Sequence, residues 1–132
     1  MDIYAQNIMD HYKNPRNWGR LKGALTKHSE SNRSCGDILY IDVEIQDDAV
    51  KNFTFTGEGC SISLAATSIL GEYVIGKKTD DILKMNFKEV QKILGIEISQ
   101  RREKCAALCL LSIQNTLLKS GKKKLKDFSD IL

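Results

Sequence analysis

Between Asp37 and Gln46 apolar and polar residues alternate. Leu39, Ile41, Val43 and Ile45 share one face, and Tyr40, Asp42, Glu44 and Gln46 share the other. That two-residue period predicts a half-buried strand. Alternation resumes from Val50 to Thr56, with Phe53 and Phe55 on one face, and Asp47-Asp48 lies between the two runs. The pair reads as a β-hairpin, although Asp-Asp is not the preferred turn dipeptide. Elsewhere the period is helical. Residues 2–13 place Ile3, Ile8 and Tyr12 near helical spacing. Pro15 stops that helix, because the residue before a proline avoids the helical region. Residues 17–34 are polar, with Gly19 and Gly23, and read as a loop with room for one edge strand. Residues 61–75 predict a helix opened by Ser61-Ile62-Ser63 and closed by Gly76. Thr79 and Asp80 cap a short helix over 81–84, and Asn86 caps another ending at Gly95. Residues 100–119 predict the last long helix, with Ala106, Leu110, Ile113 and Leu117 on one face; Gly121 ends it and a short tail helix follows. The order of helix, strands, then helices indicates an α+β fold.

Length changes this picture little. The 132 residues fit one domain, 1–132, and not two. The hydrophobic fraction of 42% is enough for a core. No apolar run approaches the roughly 18 residues of a membrane span, so no membrane association is expected. Met1-Asp2-Ile3-Tyr4 has neither the basic start nor the apolar stretch of a signal peptide. The chain therefore reads as cytoplasmic, where thiols stay reduced. Charge is uneven: residues 1–100 carry a balance of −2 and residues 101–132 a balance of +5. One lysine cluster is a poor nucleic-acid signal, so no nucleic-acid partner is expected and the basic end reads as a solvated helix end.

The compartment gives the four cysteines their interest. In a reducing setting Cys35, Cys60, Cys105 and Cys109 suggest metal, cluster or sulfur chemistry before disulfides. If Gln46 and Ala49 flank the hairpin turn, paired positions sum to 95 and Cys35 stands opposite Cys60. Directly opposed residues lie about 5 Å apart at Cβ. A one-residue register slip would weaken this inference. Cys60 also follows Gly59 and opens a helix, whose free N–H groups favour a thiolate. Cys35 lies in Ser34-Cys35-Gly36-Asp37, which puts a carboxylate two residues from the thiol. Cys105 falls in the first turn or so of the last helix. Three cysteines and Asp37 could complete a tetrahedral zinc site, or hold an iron–sulfur cluster with a weaker oxygen ligand. Cys109, one turn beyond Cys105, reads equally as a thiol at the core edge. His11 and His28 are isolated and read as non-catalytic, and Trp18 as an anchor for the N-terminal segment.

Four motifs, in order, resemble the iron–sulfur scaffold family of IscU, SufU and the N-terminal domain of NifU. They are Tyr12-Lys13-Asn14-Pro15-Arg16-Asn17, Cys35-Gly36-Asp37, Gly59-Cys60-Ser61-Ile62-Ser63 and Lys104-Cys105-Ala106-Ala107-Leu108. The resemblance covers about Tyr4 to Leu118. It implies a three-stranded antiparallel sheet with helices packed on one side. It also implies a site of Cys35, Asp37, Cys60 and Cys105 that holds a transient [2Fe–2S] cluster or Zn2+. The implied partners are a cysteine desulfurase, which delivers sulfur, and apo iron–sulfur acceptor proteins, with Asp37 keeping the cluster labile. By this analogy Cys105 is the preferred persulfide acceptor, with Arg102 and Lys104 as auxiliary cations beside it. Cys60 is the alternative, flanked by the opposing charge of Glu58. IscU proteins carry histidine where this chain has Lys104, and a proline-rich segment where it has Leu94–Ser99 without proline. Arg102 and Lys104 look more like SufU, but only 44 residues separate Cys60 from Cys105, leaving little room for the insertion typical there. Three functions follow in order: a cluster-assembly scaffold; a zinc-bound sulfurtransferase that activates the desulfurase; and a structural zinc domain, which Asp37 disfavours as a ligand. A homodimer or higher oligomer stays open, because a cluster can be shared between subunits.

Overall fold

The computed structural model describes residues 3–23 and 26–132. Its elements are α1 (Ile3–Lys13), β1 (Thr26–Asn32), β2 (Asp37–Gln46), β3 (Ala49–Glu58), α2 (Ser61–Val74), α3 (Thr79–Leu83), α4 (Phe87–Leu94), α5 (Glu103–Ser120) and α6 (Phe128–Ile131). One 3-10 turn, Gln100–Arg102, leads into α5. The three strands form one antiparallel sheet in the order β1-β2-β3. The polar segment before Asp37 thus supplies the edge strand β1. The α+β fold with a long C-terminal helix agrees with the expectation.

The alternating faces explain the packing. Leu39, Ile41 and Val43 of β2 and Phe53 and Phe55 of β3 are buried on one face, against α2 and α5. Ile41 pairs with Phe55 and Val43 with Phe53, so the large side chains lie side by side. α1 packs on α2 rather than on the sheet. The other face holds a surprise. Asp42, on the polar face of the strand, is wholly buried. Arg20 grips both its oxygens at 2.8 Å, and the Leu21 N–H donates to Oδ2 at 2.9 Å. The segment before β1 folds back to do this. Gly19 and Asn17 exchange backbone hydrogen bonds with Phe55, and Trp18 meets the Phe55 ring edge-on at 5.3 Å. Trp18 is therefore the anchor foreseen.

The hairpin register is corrected at one point. Gln46 pairs with Ala49 and Ile45 with Val50, the sum of 95. Asp47 and Asp48 take φ of 54° and 59°, the left-handed pair that matches strand twist in a two-residue hairpin. The register then shifts at Glu44/Ile45, with Glu44 facing Asn52 and Lys51 left over as a bulge. From there to the strand ends the pairs sum to 96, with Ile38 opposite Glu58. Cys35 and Cys60 are therefore not a facing pair.

α5 also differs from the one-faced helix expected. Every residue from Cys105 to Leu118 is buried, including Ser112, Gln114, Asn115 and Thr116. The helix runs between the sheet and α2, α4 and α6, so no side faces water for long. Its polar groups are satisfied internally, as burial requires. Gln114 donates to the Ile82 and Met85 carbonyls, and Asn115 donates to Glu30 and to the Lys126 carbonyl. His11, also buried, faces the Ser68 hydroxyl at 2.7 Å. Ser68 Oγ accepts the Arg16 N–H, which leaves its own proton for Nδ1 of a neutral imidazole. His28 pairs with Glu30 at 2.9 Å. Neither histidine lies among the cysteines.

Candidate functional site

Four residues, 33–36, close the turn between β1 and β2, and Cys35 is the exposed tip of that turn. Gly36 takes φ of 73°, a conformation that needs no Cβ, and returns the chain into β2. Asn32 and Asp37 are the closing pair of the hairpin. Both are buried and both reach the Cys35 sulfur: Asn32 Nδ2 donates to Sγ at 2.8 Å, and Sγ lies 3.1 Å from Asp37 Oδ2.

The register shift brings Gly59, not Cys60, level with Asp37. A Cβ on Gly59 would lie 2.6 Å from Asp37 Oδ1 and 2.6 Å from Ser63 Oγ, so only glycine fits. The next residue, Cys60, is the N-cap of α2. Its backbone N–H donates to Asp37 Oδ1 at 3.0 Å. Its side chain makes no cap bond to the helix backbone; the sulfur lies 3.8 Å from Ser63 Oγ and 4.0 Å from Asp37 Oδ2. Cys105 is the third residue of α5 and comes from the far side, with Sγ 3.2 Å from Cys35 Sγ. One donor atom from each of Cys35, Asp37 and Cys105 lies within 4.8 Å of the others. Cys35, Cys60 and Cys105 line an open cleft of about 430 Å³ together with Ser99, Arg101 and Arg102.

Electrostatics set the character of this cluster. Burial and the neighbouring Asp37 carboxylate push the Cys35 thiol up from its ordinary range. Burial pushes Cys105 up more strongly, and the nearby Cys35, Cys60 and Asp37 add to it. So without a cation Cys35 and Cys105 hold their protons, because further anions beside Asp37 cannot crowd a half-buried site. A soft divalent cation removes that penalty and displaces the protons. Three sulfurs and one carboxylate oxygen suit zinc, and equally iron of a small cluster. Asp37 would offer only Oδ2, since Oδ1 is engaged by Cys60.

The remaining sequence candidates are placed as follows. Arg102 lines the cleft, whereas Lys104 extends its ammonium over the Phe128 ring, 5.7 Å from the centroid. Glu58 ends β3 and is exposed. Cys109 is fully buried, donates its S–H to the Ala106 carbonyl at 2.9 Å and has its pKa pushed up by burial to about 12. It belongs to the core and not to the group. Sequence reasoning missed Asn32, Ser99 and Arg101, whose residue types in a polar stretch carry no signature of their own.

Comparison with known proteins places the fold. The NifU-like N terminal domain family matches residues 3–127. The chain belongs to this family. Within it, the zinc-dependent sulfurtransferase SufU of Bacillus subtilis is 31% identical over 134 aligned positions, covering 89% of this chain and 90% of that protein. The iron–sulfur cluster assembly scaffold protein IscU 1 of Archaeoglobus fulgidus is 27% identical, covering 91% of this chain and 80% of its own. Among solved structures, a protein described as hypothetical superposes with a TM-score of 0.77 at 28% identity, over 87% of this chain and 96% of its own. A putative scaffold for the SUF system from Fervidobacterium islandicum gives 0.75 at 24% identity, over 85% and 94%, a likeness of fold. Among the described residues no helix is long and apolar enough to cross a membrane.

Proposed function

We propose that this NifU-like domain receives sulfur from a cysteine desulfurase and assembles and hands on iron–sulfur clusters of the [2Fe–2S] type, in the cytoplasm, as a single domain. The observation that carries the reading is the convergence of Cys35, Asp37 and Cys105 within 4.8 Å, with Cys60 beside Asp37, in an open cleft. The proposed ligands are Cys35, Asp37, Cys60 and Cys105. The scaffold relatives support the assignment.

The chain's own groups fit transfer rather than storage. Asp37 is a hard oxygen donor among soft sulfurs and is the first ligand to let go. When it does, its carboxylate stays in place on the Cys60 N–H and can rebind. Sulfur enters where a thiol is reachable. Cys35 is exposed, Cys60 intermediate and Cys105 buried. Cys35 is therefore the first thiol an incoming persulfide meets, and Cys105, 3.2 Å away, can take the outer sulfur from it as the Cys105 thiol proton passes to the departing Cys35 sulfur. Cys105 remains the acceptor preferred from sequence, now reached through Cys35. Arg101 and Arg102 on the rim draw in the anionic persulfide.

A second reading, a zinc-bound sulfurtransferase that activates the desulfurase, draws on the SufU relative and on the span of the donor group, which one tetrahedral ion covers. Purification under anaerobic and aerobic conditions with iron, sulfide and zinc analysis separates the two. A brown protein with iron and sulfide in equal amounts establishes the scaffold. One tightly held zinc with no reconstitutable cluster establishes the sulfurtransferase. Neither metal at any of these residues would overturn both.

A further inference from the structure

Asn32 has no assigned part in the chemistry above, yet its carboxamide is the closest polar group to the Cys35 sulfur. We infer that Asn32 is a positioning residue: its Nδ2–H holds the Cys35 sulfur in the cleft and tunes what that sulfur gives to a bound metal. The inference rests on the reading of Cys35 as a ligand and adds a residue to it.

The orientation of the carboxamide follows from its other end. Asn32 Oδ1 lies 3.3 Å from the backbone N of Ser34. A backbone N–H can only donate, so this end is the oxygen, and the nitrogen end faces the sulfur. Nδ2 approaches Sγ at 2.8 Å. Asn32 is 3% exposed, so the donor end of this bond is shielded from water although Cys35 itself is exposed. The backbone adds to it: the Cys35 N–H donates to the Asn32 carbonyl at 3.3 Å, which closes the turn. Asn32 thus fixes the turn with its oxygens and the sulfur with its nitrogen.

A donor placed on a metal-bound sulfur has two effects. It fixes the sulfur's direction, as outer partners do for metal ligands generally. It also withdraws electron density from the sulfur, a known lever on the potentials of sulfur-ligated metals. In this site the N–H shares the sulfur with Asp37, whose Oδ2 lies 3.1 Å from it. Asn32 and Asp37 pair across the hairpin, so one strand pair supplies both the ligand carboxylate and the donor that balances it.

Two variants separate the donor from the turn. Asn32→Asp keeps an oxygen for the Ser34 N–H and removes the donor, but adds charge. Asn32→Ser keeps an acceptor for Ser34, is too short to reach the sulfur and adds no charge. The probe is Co2+ titrated into the metal-free full chain, read by the thiolate-to-cobalt absorption band, with Zn2+ affinity from chelator competition. In both variants affinity is expected to fall about 10–100-fold, and the band to move to lower energy as the sulfur becomes a better electron donor. Wild-type band and affinity in both variants would overturn the inference and leave the ligand reading standing. A change in the Asp variant alone would also overturn it, since charge would then be the cause. A wild-type chain that shows no thiolate band with Co2+ would overturn the ligand reading and this inference with it.

Discussion

Gly59 secures Asp37 by having no side chain. The space its Cβ would fill is occupied by Asp37 Oδ1 and Ser63 Oγ. Gly59→Ala is therefore expected to displace the carboxylate and to mimic its loss: metal stays bound through three sulfurs, release of cargo to an apo-ferredoxin, timed by circular dichroism, slows, and the far-ultraviolet circular dichroism stays unchanged. Wild-type release in that variant would show that Asp37 tolerates the shift. Asp37→Ala should slow release in the same way. Serine in place of Cys35, Cys60 or Cys105 should remove stable binding, because a hydroxyl is a poor ligand for a soft metal. Cys109→Ser should leave binding intact, because Cys109 points its S–H to the Ala106 carbonyl within the core. The motif residues were legible because Cys, Asp and Gly in such spacing have few other uses. Asn32 and Arg101 were not, because asparagine in a turn and arginine on a helix start are ordinary, and only distance gives them a role.

Among the elements, α2 lies directly on β3. A Cβ on Gly71 would stand 2.4 Å from Phe53 Cε1, and Phe53 is itself buried. In a free helix alanine would gain up to about 1 kcal/mol over glycine. Here overpacking costs roughly 1–3 kcal/mol, so Gly71→Ala is expected to lower the urea midpoint; a rise would mean that Phe53 can move aside. Strand and helix identities follow from period together with end signals, since Asp37–Gln46 alternates and Asn86 and Gly95 mark helix ends. The period as read over Val50–Thr56 did not supply the Lys51 bulge, whose trace is the three-residue step between the buried Val50 and Phe53. It could not supply the burial of Asp42 either. That depends on Arg20, twenty-two positions away, folding over the outer face of the sheet.

For the molecule as a whole, two buried groups tie stability to pH in the same direction. Burial, and then the charge of Arg16, hold His11 below its ordinary 6.5, against the opposing pull of Glu72 and Asp10. Below about 6.5 the unfolded chain takes a proton that folded His11 resists, so stability falls as pH drops. Burial works against the charge of Asp42, but the Arg20 fork, the Leu21 N–H and Lys27 outweigh it and hold the carboxyl below its ordinary 3.8. Its contribution is therefore complete above about 4 and is lost as pH falls further. Thermal melts of the metal-free protein between pH 7.5 and 3 should show a decline in two stages. His11→Gln should flatten the first and Asp42→Asn the second. A melting temperature independent of pH over that range would sink both assignments.

The contact between Cys35 and Cys105 joins positions 70 residues apart. One stands on a hairpin turn and the other at the start of α5, so neither local hairpin formation nor local helix formation brings them together. A chain still emerging or half collapsed has no pocket in which a metal or sulfur atom can be retained. Loading is thus an inspection of the finished architecture. An ion held between turn and helix also clamps the closed state by mass action, raising stability by about 2.7 kcal/mol at a hundredfold excess over its dissociation constant. With Cys35 and Cys105 as the proposed ligands, loaded copies should outlast empty ones in a cell that degrades loose chains.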